Sequence, residues 1–342
     1  MATRHGFVEV VSLVTEVFEA LGFSGHDAQL LATNCVTAEA DGSTSHGLFR
    51  IPHYVATIKS GYASATADPI VEDIAPGVLR VDADNGFALL AVRKAASRLA
   101  DKARTNGVAV MQVRNSHHLG ALYLDIESFA REGFIALAVV SSGALVAPPG
   151  GRHAVYGTNP MAFATPRQSG GPVFFDQSSS AMAYGEVEMA ARDGRMLPDD
   201  AGIDVHGNPT GDPNAIINGG ALSTFGGHKG ASVAFLIEVL CSGLVGADFS
   251  FEVSREPGAK TSRTGETIII VDPSIGRSEK TLFASRIEGL IAALKDAGQH
   301  RVPGERRLLA REQSQSTGIE IESTFWSDLN SLACRSHTAG LG

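Results

Sequence analysis

Cysteine is scarce and scattered. The three present, Cys35, Cys241 and Cys334, are odd in number and form no Cys-x-x-Cys pair. That excludes a disulfide framework and a cysteine-built zinc site, and it fits a reducing cytoplasm. Long apolar runs are missing too: no stretch reaches the ~18 consecutive apolar residues of a membrane span. Met1 to Glu9 also lacks the apolar stretch of a signal peptide, so the chain reads as mature soluble protein. Positive charge is short, with 28 Lys and Arg against 37 Asp and Glu and a formal net charge of −9. Neither a nucleic-acid backbone nor an anionic membrane surface is therefore expected as a partner, and an anionic substrate needs its own local cation. Gly-x-Gly-x-x-Gly after a strand and Gly-x-x-x-x-Gly-Lys-Ser/Thr are both absent, which counts against a Rossmann or P-loop site. No His-Glu-x-x-His or other tight ligand cluster is found, and no metal is expected.

What is there is a chain of 342 residues, 44% hydrophobic, long enough for a large core and more than one lobe. Apolar spacing from Val8 to Leu21 predicts an amphipathic helix closed by Gly22. A second helix follows from an N-cap at Ser24 to about Ala40, where Asp41-Gly42 breaks it. Two short strands around Pro76-Gly77 within Ile70 to Asp84, a helix over Phe87 to Ala103, and buried strands at Val108 to Val113 and Phe134 to Val140 come next, the last two flanking a helix over Leu122 to Glu132. Ser141 to Gly227 is rich in turn formers, with only short apolar runs at Met161 to Ala164 and Val173 to Phe175, and reads as loop-dominated. Gly230 to Val245 and Lys280 to Ala297 read as helices around a strand at Thr267 to Val271. The alternation favours an α/β or α+β class.

Several polar segments could carry chemistry. Ser45-His46-Gly47 stands four residues before Arg50 at its histidine, a spacing that would put His46 and Arg50 on one helical face unless Pro52 delays the helix to about Ile51. An imidazole can exchange a proton near neutral pH, and an arginine fork fits a carboxylate. Taken alone, these residues read first as a capping serine and histidine beside a surface arginine. Asn115-Ser116-His117-His118-Leu119-Gly120 follows a strand's C-terminal end, and on an extended segment only one of two adjacent histidines faces a site. Gly157-Thr158-Asn159-Pro160, Asp176-Gln177-Ser178, Gly226-Gly227-His228-Lys229-Gly230 and Arg301-Val302-Pro303-Gly304-Glu305-Arg306-Arg307 each read singly as turns.

Together and in this order, from about residue 8 to about residue 310, these segments resemble the type 2 malate/L-lactate dehydrogenase family. The likeness is greater to its Δ1-piperideine-2-carboxylate/Δ1-pyrroline-2-carboxylate reductase branch, and little of it lies after Glu312. The resemblance implies a non-Rossmann NAD(P)-binding α/β fold with a mainly antiparallel sheet plus a helical part. It places residues 1–60 with 275–342 in the helical, substrate-side part and residues 61–274 in the cofactor-binding, loop-rich part. It makes His46 the proton donor, Ser45 its relay partner and Glu186 the relay acid, where the branch carries an aspartate. Arg50 and Thr158 would bind the substrate carboxylate. The cofactor would lie along His118, Leu119, Gly120, Ala121 and Leu122, along Asp176, Gln177 and Ser178, along His228 and Lys229, and along Arg301, Pro303, Gly304, Glu305, Arg306 and Arg307. The basic cluster suits NADPH over NADH, and family members are homodimers. The implied reaction reduces the C=N bond of a small cyclic imino acid. A 2-keto acid reductase is the alternative within enzymes, and a catalytically silent NADPH-binding protein is the alternative outside them.

Overall fold

The computed structural model describes residues 2–254, 256–276 and 281–334. Helix Phe7–Ala20 turns Val10, Leu13, Val14, Val17 and Phe18 inward and stops at Leu21, with Gly22 in the left-handed region at φ 98°. Helix Gly25–Ala40 is capped by Ser24, whose side chain accepts from Asp27 N. Strand Ala2–His5 pairs antiparallel with Ile319–Glu322, which draws helix Ser323–Cys334 back onto the first helix. Val14, Phe18, Leu31, Tyr54 and Leu329 thus share one core built from both ends of the chain. Each such fully buried large side chain contributes about 1.5–3 kcal/mol.

The central sheet has seven strands in the order Ile70–Ala75, Val78–Asp82, Val108–His117, Arg263–Val271, Ile135–Val140, Met161–Thr165 and Val173–Gln177. Neighbours run antiparallel except Val78–Asp82 beside Val108–His117, a parallel pair joined through helix Ala88–Asn106. The fold is therefore α/β with a mainly antiparallel sheet, not a doubly wound parallel one. Small buried residues on the strands, Ala109, Ala136, Ala138, Ala162 and Ala164, share a core with Leu99 of helix Ala88–Asn106 and with Ile126 and Phe129 of helix Tyr123–Arg131.

Two departures from the sequence reading shape the site. The strand predicted to end at Val113 runs on to His117, through a bulge at which Thr264 pairs with Ser116 but Glu266 with Val113. Asn115 absorbs the extra residue at φ 52°, a conformation asparagine tolerates. Opposite it, Gly265 lies so close to the Cys241 carbonyl that any Cβ there would collide with it. The loop-dominated middle also contains more structure than its composition suggests. Helices Tyr184–Arg192 and Pro213–Ile217 and the small sheet of Gly202–Ile203, Pro209–Thr210 and Ala221–Leu222 enclose a core of Val146, Val187, Ala190, Leu197, Ile216 and Leu222. The predicted helix over Gly230 to Val245 is His228–Glu238 continued by a π-helical stretch, Val239–Gly243. The start of the late helix at Lys280 lies outside the described residues; Thr281–Asp296 is helical.

Candidate active site

Past Asp41-Gly42 the chain makes two 3-10 turns, Thr44–His46 and Leu48–Arg50, before helix Ile51–Lys59 begins with Pro52 in its first turn. His46 and Arg50 therefore do not share a helical face. They sit in separate turns hinged at Gly47, which packs against the backbone of Glu39 too closely for a side chain. Glu39 fixes the second turn by accepting from Leu48 N at 2.9 Å.

Both residues nevertheless line one groove. It consists of two adjoining cavities of about 520 Å³ and 640 Å³ that share His46, Arg50, Thr158, Pro160, Asp176 and Tyr184. Each is of the size that holds a small ligand. The first adds His53, His118, Leu119, Gly120, Leu122, Ser142, Glu188 and Lys260 to its walls. The second adds Ser43, Ser45, Ala121, Gln177, Ser178, Glu186, Arg306 and Arg307.

Ser45 Oγ lies 3.0 Å from His46 Nδ1. Burial, and then the charges of Arg50, His118 and Arg307, press the His46 pKa down to about 3, so its imidazole is neutral at physiological pH. Where Ser45 donates to Nδ1, the ring proton of the neutral imidazole sits on Nε2. Arg50 Nε is buried without a partner. Glu188 is the acid that acts on Arg50, and its own Oε2 is buried and unpaired. Glu186, expected as the relay acid, is exposed on helix Tyr184–Arg192 and makes no hydrogen bond to Ser45 or His46 among the described residues. The sequence reading missed Glu188, two residues on in Gly185-Glu186-Val187-Glu188.

Thr158 is held by its neighbours. Its N–H donates to Ser142 Oγ at 3.1 Å, and its carbonyl accepts from Ser179 N at 2.9 Å. Asn159, fully buried at φ 41°, ties the turn to helix His228–Glu238 by donating to Glu238 Oε1 at 2.7 Å. The adjacent histidines part as an extended segment requires: His117 Nε2 lies 3.0 Å from Asn85 Oδ1 in the interior, while His118 reaches the groove. Asp176 is half-buried and accepts from Tyr123 N at 3.2 Å; desolvation raises its pKa against the pull of Arg307 and His118.

The remaining sequence candidates divide. Arg307 stacks 4.6 Å over the Tyr123 ring and donates Nε to Ser43 Oγ at 3.1 Å, and Arg306 stands beside it on the wall. Pro303 accepts from Phe174 N at 3.4 Å, Gly304 turns at φ 87° against Phe174, and Glu305 starts helix Glu305–Thr317. Arg301 is exposed and lines neither cavity, and the same holds for His228 and Lys229 at the start of their helix.

Comparison with known proteins gives the family of the chain. The family model described as malate/L-lactate dehydrogenase matches residues 7–330, beyond the 310 at which the motifs fade. A curated relative, the Δ1-pyrroline-2-carboxylate/Δ1-piperideine-2-carboxylate reductase of Pseudomonas syringae pv. tomato, is 46% identical over 96% of this chain and 95% of its own. The (2R)-3-sulfolactate dehydrogenase (NADP(+)) of Chromohalobacter salexigens is 36% identical over 95% and 96%. The crystal structure of the Δ1-piperideine-2-carboxylate reductase from Pseudomonas syringae superposes with a TM-score of 0.94 at 44% identity, covering 96% of this chain and 99% of that one. This chain belongs to the malate/L-lactate dehydrogenase family.

Proposed function

We propose that this protein is an NADPH-dependent reductase of small cyclic imino acids, converting Δ1-piperideine-2-carboxylate and Δ1-pyrroline-2-carboxylate to L-pipecolate and L-proline. One observation carries the reading: a proton-bearing imidazole, an arginine with an unpaired Nε and a pinned threonine meet on the wall shared by two adjoining cavities. The first cavity takes the substrate and the second the cofactor. The names of the relatives at 46% identity support the substrate class.

The residues of the second cavity fit a phosphorylated nicotinamide cofactor. Arg306 and Arg307 offer guanidinium donors, and Ser43, Gln177 and Ser178 offer neutral ones, so a pyrophosphate and a 2′-phosphate find partners without a Rossmann turn. The paired arginines favour NADPH over NADH. The cofactor, when bound, supplies the hydride. Arg50 and Thr158 hold the carboxylate and thereby fix C2 of the substrate in the groove. That orientation contributes part of the ~7–11 kcal/mol that full positioning can supply. His46, protonated once the substrate carboxylate offsets Arg50, hands a proton from Nε2 to the ring nitrogen as C2 gains the hydride and is left as the neutral imidazole, while Ser45 steadies the ring through Nδ1. The substrate carboxylate partly neutralises Arg50, one cause of the depressed His46 pKa, so binding readies the histidine to recover a proton.

The exposed apolar side chains Phe235, Leu236 and Val239, neighbours on helix His228–Glu238 and its continuation, are the surface that a second copy of the chain would cover in a homodimer. The cytoplasm is the fitting compartment, since Cys35, Cys241 and the exposed Cys334 are free thiols.

The test is NADPH oxidation by purified protein offered both cyclic imines, pyruvate and oxaloacetate. Rapid turnover of the imines is expected. Turnover of the keto acids alone would move the protein to 2-keto acid reduction, which the same clamp and proton donor could serve.

A further inference from the structure

Behind the His118 wall of the groove lies a cluster that the proposed reaction does not use. His118 Nε2 is 2.7 Å from Asp125 Oδ2, and the Asp125 side chain is 2% exposed. Glu266 completes the group: one ligand atom from each of the three residues lies within 4.8 Å of the others. Glu266 is fully buried, and neither of its oxygens has a hydrogen-bond partner. The bulge at Thr264 and Glu266 carries it here, opposite Asn115. Three elements thus converge on one imidazole: the extended segment of His118, helix Tyr123–Arg131 and strand Arg263–Val271.

We propose that Asp125 is a positioning residue for His118: by accepting the Nε2 proton it fixes the ring as a cation whose Nδ1–H faces the groove and donates to an anionic oxygen of the bound molecule, with Glu266 as the second carboxyl beneath. A carboxylate behind an imidazole sets which nitrogen carries the proton and in which direction it points. The rest of the surroundings agrees. Desolvation opposes the charged ring, but the Asp125 hydrogen bond and charge, helped by Asp176, outweigh it, and the His118 pKa is raised to about 9. Glu266 is pushed the other way, toward its neutral acid form, by burial and by the Asp125 charge. One cation, one anion and one neutral acid make a buried group without net charge, which is the arrangement a low-dielectric interior tolerates. The other charged and titratable groups on the walls of this part of the groove are Arg50, Lys260, Glu188, Glu256, Asp176, Tyr184, His53 and the neutral His46, with Arg307 on the adjoining wall. The anionic oxygen is either a substrate carboxylate or a cofactor phosphate. This assignment rests on reading the groove as the substrate and cofactor site.

The experiment follows the His118 ring by NMR in labelled wild-type protein from about pH 6 to about pH 10, and repeats the titration in D125N and E266Q. A wild-type midpoint well above 7 is expected. D125N lowers it past neutrality, and E266Q lowers it by less, because Glu266 does not bond the ring. A wild-type midpoint below 7, or a larger drop in E266Q than in D125N, overturns the proposal. A stoichiometric divalent ion in the purified protein does the same, since a metal would then stand where the proton is placed. Ligand binding separates the two sources. In D125N at about pH 8 a roughly tenfold weakening of NADPH affinity with unchanged binding of a pyrrole-2-carboxylate probe identifies the phosphate, and the converse identifies the carboxylate. Loss of neither overturns the donor role. If D125N does not fold, the wild-type titration and E266Q still decide. Failure of the protein to reduce any imine would leave the NMR result standing and refute only the reaction.

Discussion

Replacing Arg50 by methionine tests the division of labour in the groove most directly. Arg50 is half-buried on the wall of both cavities, its Nε is buried without a partner, and Glu188 is the acid acting on it. A substrate carboxylate bound there forms a desolvated charge pair, and removing one side of such a pair costs about 2–5 kcal/mol. Taking about 3 kcal/mol, kcat/KM for Δ1-piperideine-2-carboxylate should fall by roughly two orders of magnitude. Methionine keeps most of the stem volume, so the fold should hold. The control is the cyclic imine without a carboxylate, assayed with the same enzyme by the loss of reduced nicotinamide. The wild type should turn it over poorly and R50M about equally poorly, because the interaction lost was with the missing group. The pH profile gives a second reading. Arg50 helps hold the His46 pKa down, so its removal should shift the acidic limb of kcat upward. The reasoning is refuted if R50M loses as much activity on the imine without the carboxylate as on the natural one, for then Arg50 acts on something other than the clamp.

Three further outcomes are expected. The stability of the protein should peak near neutral pH, as measured by thermal unfolding across pH. His46, His53 and His117 are held down to about 3, 4 and 4, chiefly by burial, so the unfolded chain binds more protons than the folded one below about 6.5 and stability is lost as pH falls through that range. His118, raised to about 9, works in the opposite sense: its contribution is complete below about 6.5 and lost as pH rises toward 9, and H118Q should flatten that limb alone. R311M should destabilise by about 3 kcal/mol in urea unfolding, because Arg311 bonds Asp41 at 2.6 Å and Glu127 at 2.8 Å, and without it the buried Asp41 carboxylate keeps only the Tyr123 hydroxyl while Glu127 keeps Arg131; a loss under about 1 kcal/mol would contradict this. F235D should convert the proposed homodimer to monomer in light scattering, and a wild-type dimer whose mass F235D leaves unchanged would remove the surface around Phe235 from the interface.

How much of this was legible in the sequence depends on whether the signal is local. Helices Phe7–Ala20 and Gly25–Ala40 announce themselves because each lays a buried apolar stripe on a core and carries its own stop or start in Gly22 and Ser24. Helix Glu305–Thr317 has no fully buried residue and so no stripe to read, although it brings Arg307 and Arg311 to the groove and the network beside it. The motifs around His46 and Arg50 do mark one place, but for a reason other than helical spacing: the two 3-10 turns depend on Glu39 and Gly47, contacts that periodicity does not encode. The segments His118 to Leu122, Asp176 to Ser178 and Arg306-Arg307 converge, whereas Arg301, His228 and Lys229 stand outside the cavity walls. A basic or glycine-rich run shows what a segment could bind, not where the sheet will deliver it. Glu266 is the extreme case. Within Thr-Gly-Glu-Thr-Ile it looks like the solvent face of an alternating strand, and only a bulge set by Asn115, opposite a glycine pressed on the Cys241 carbonyl, turns it into the interior beside Asp125 and His118. Register between strands almost 150 positions apart in sequence decides that placement, so the residue with the least local signal is the one whose position depends most on the whole fold.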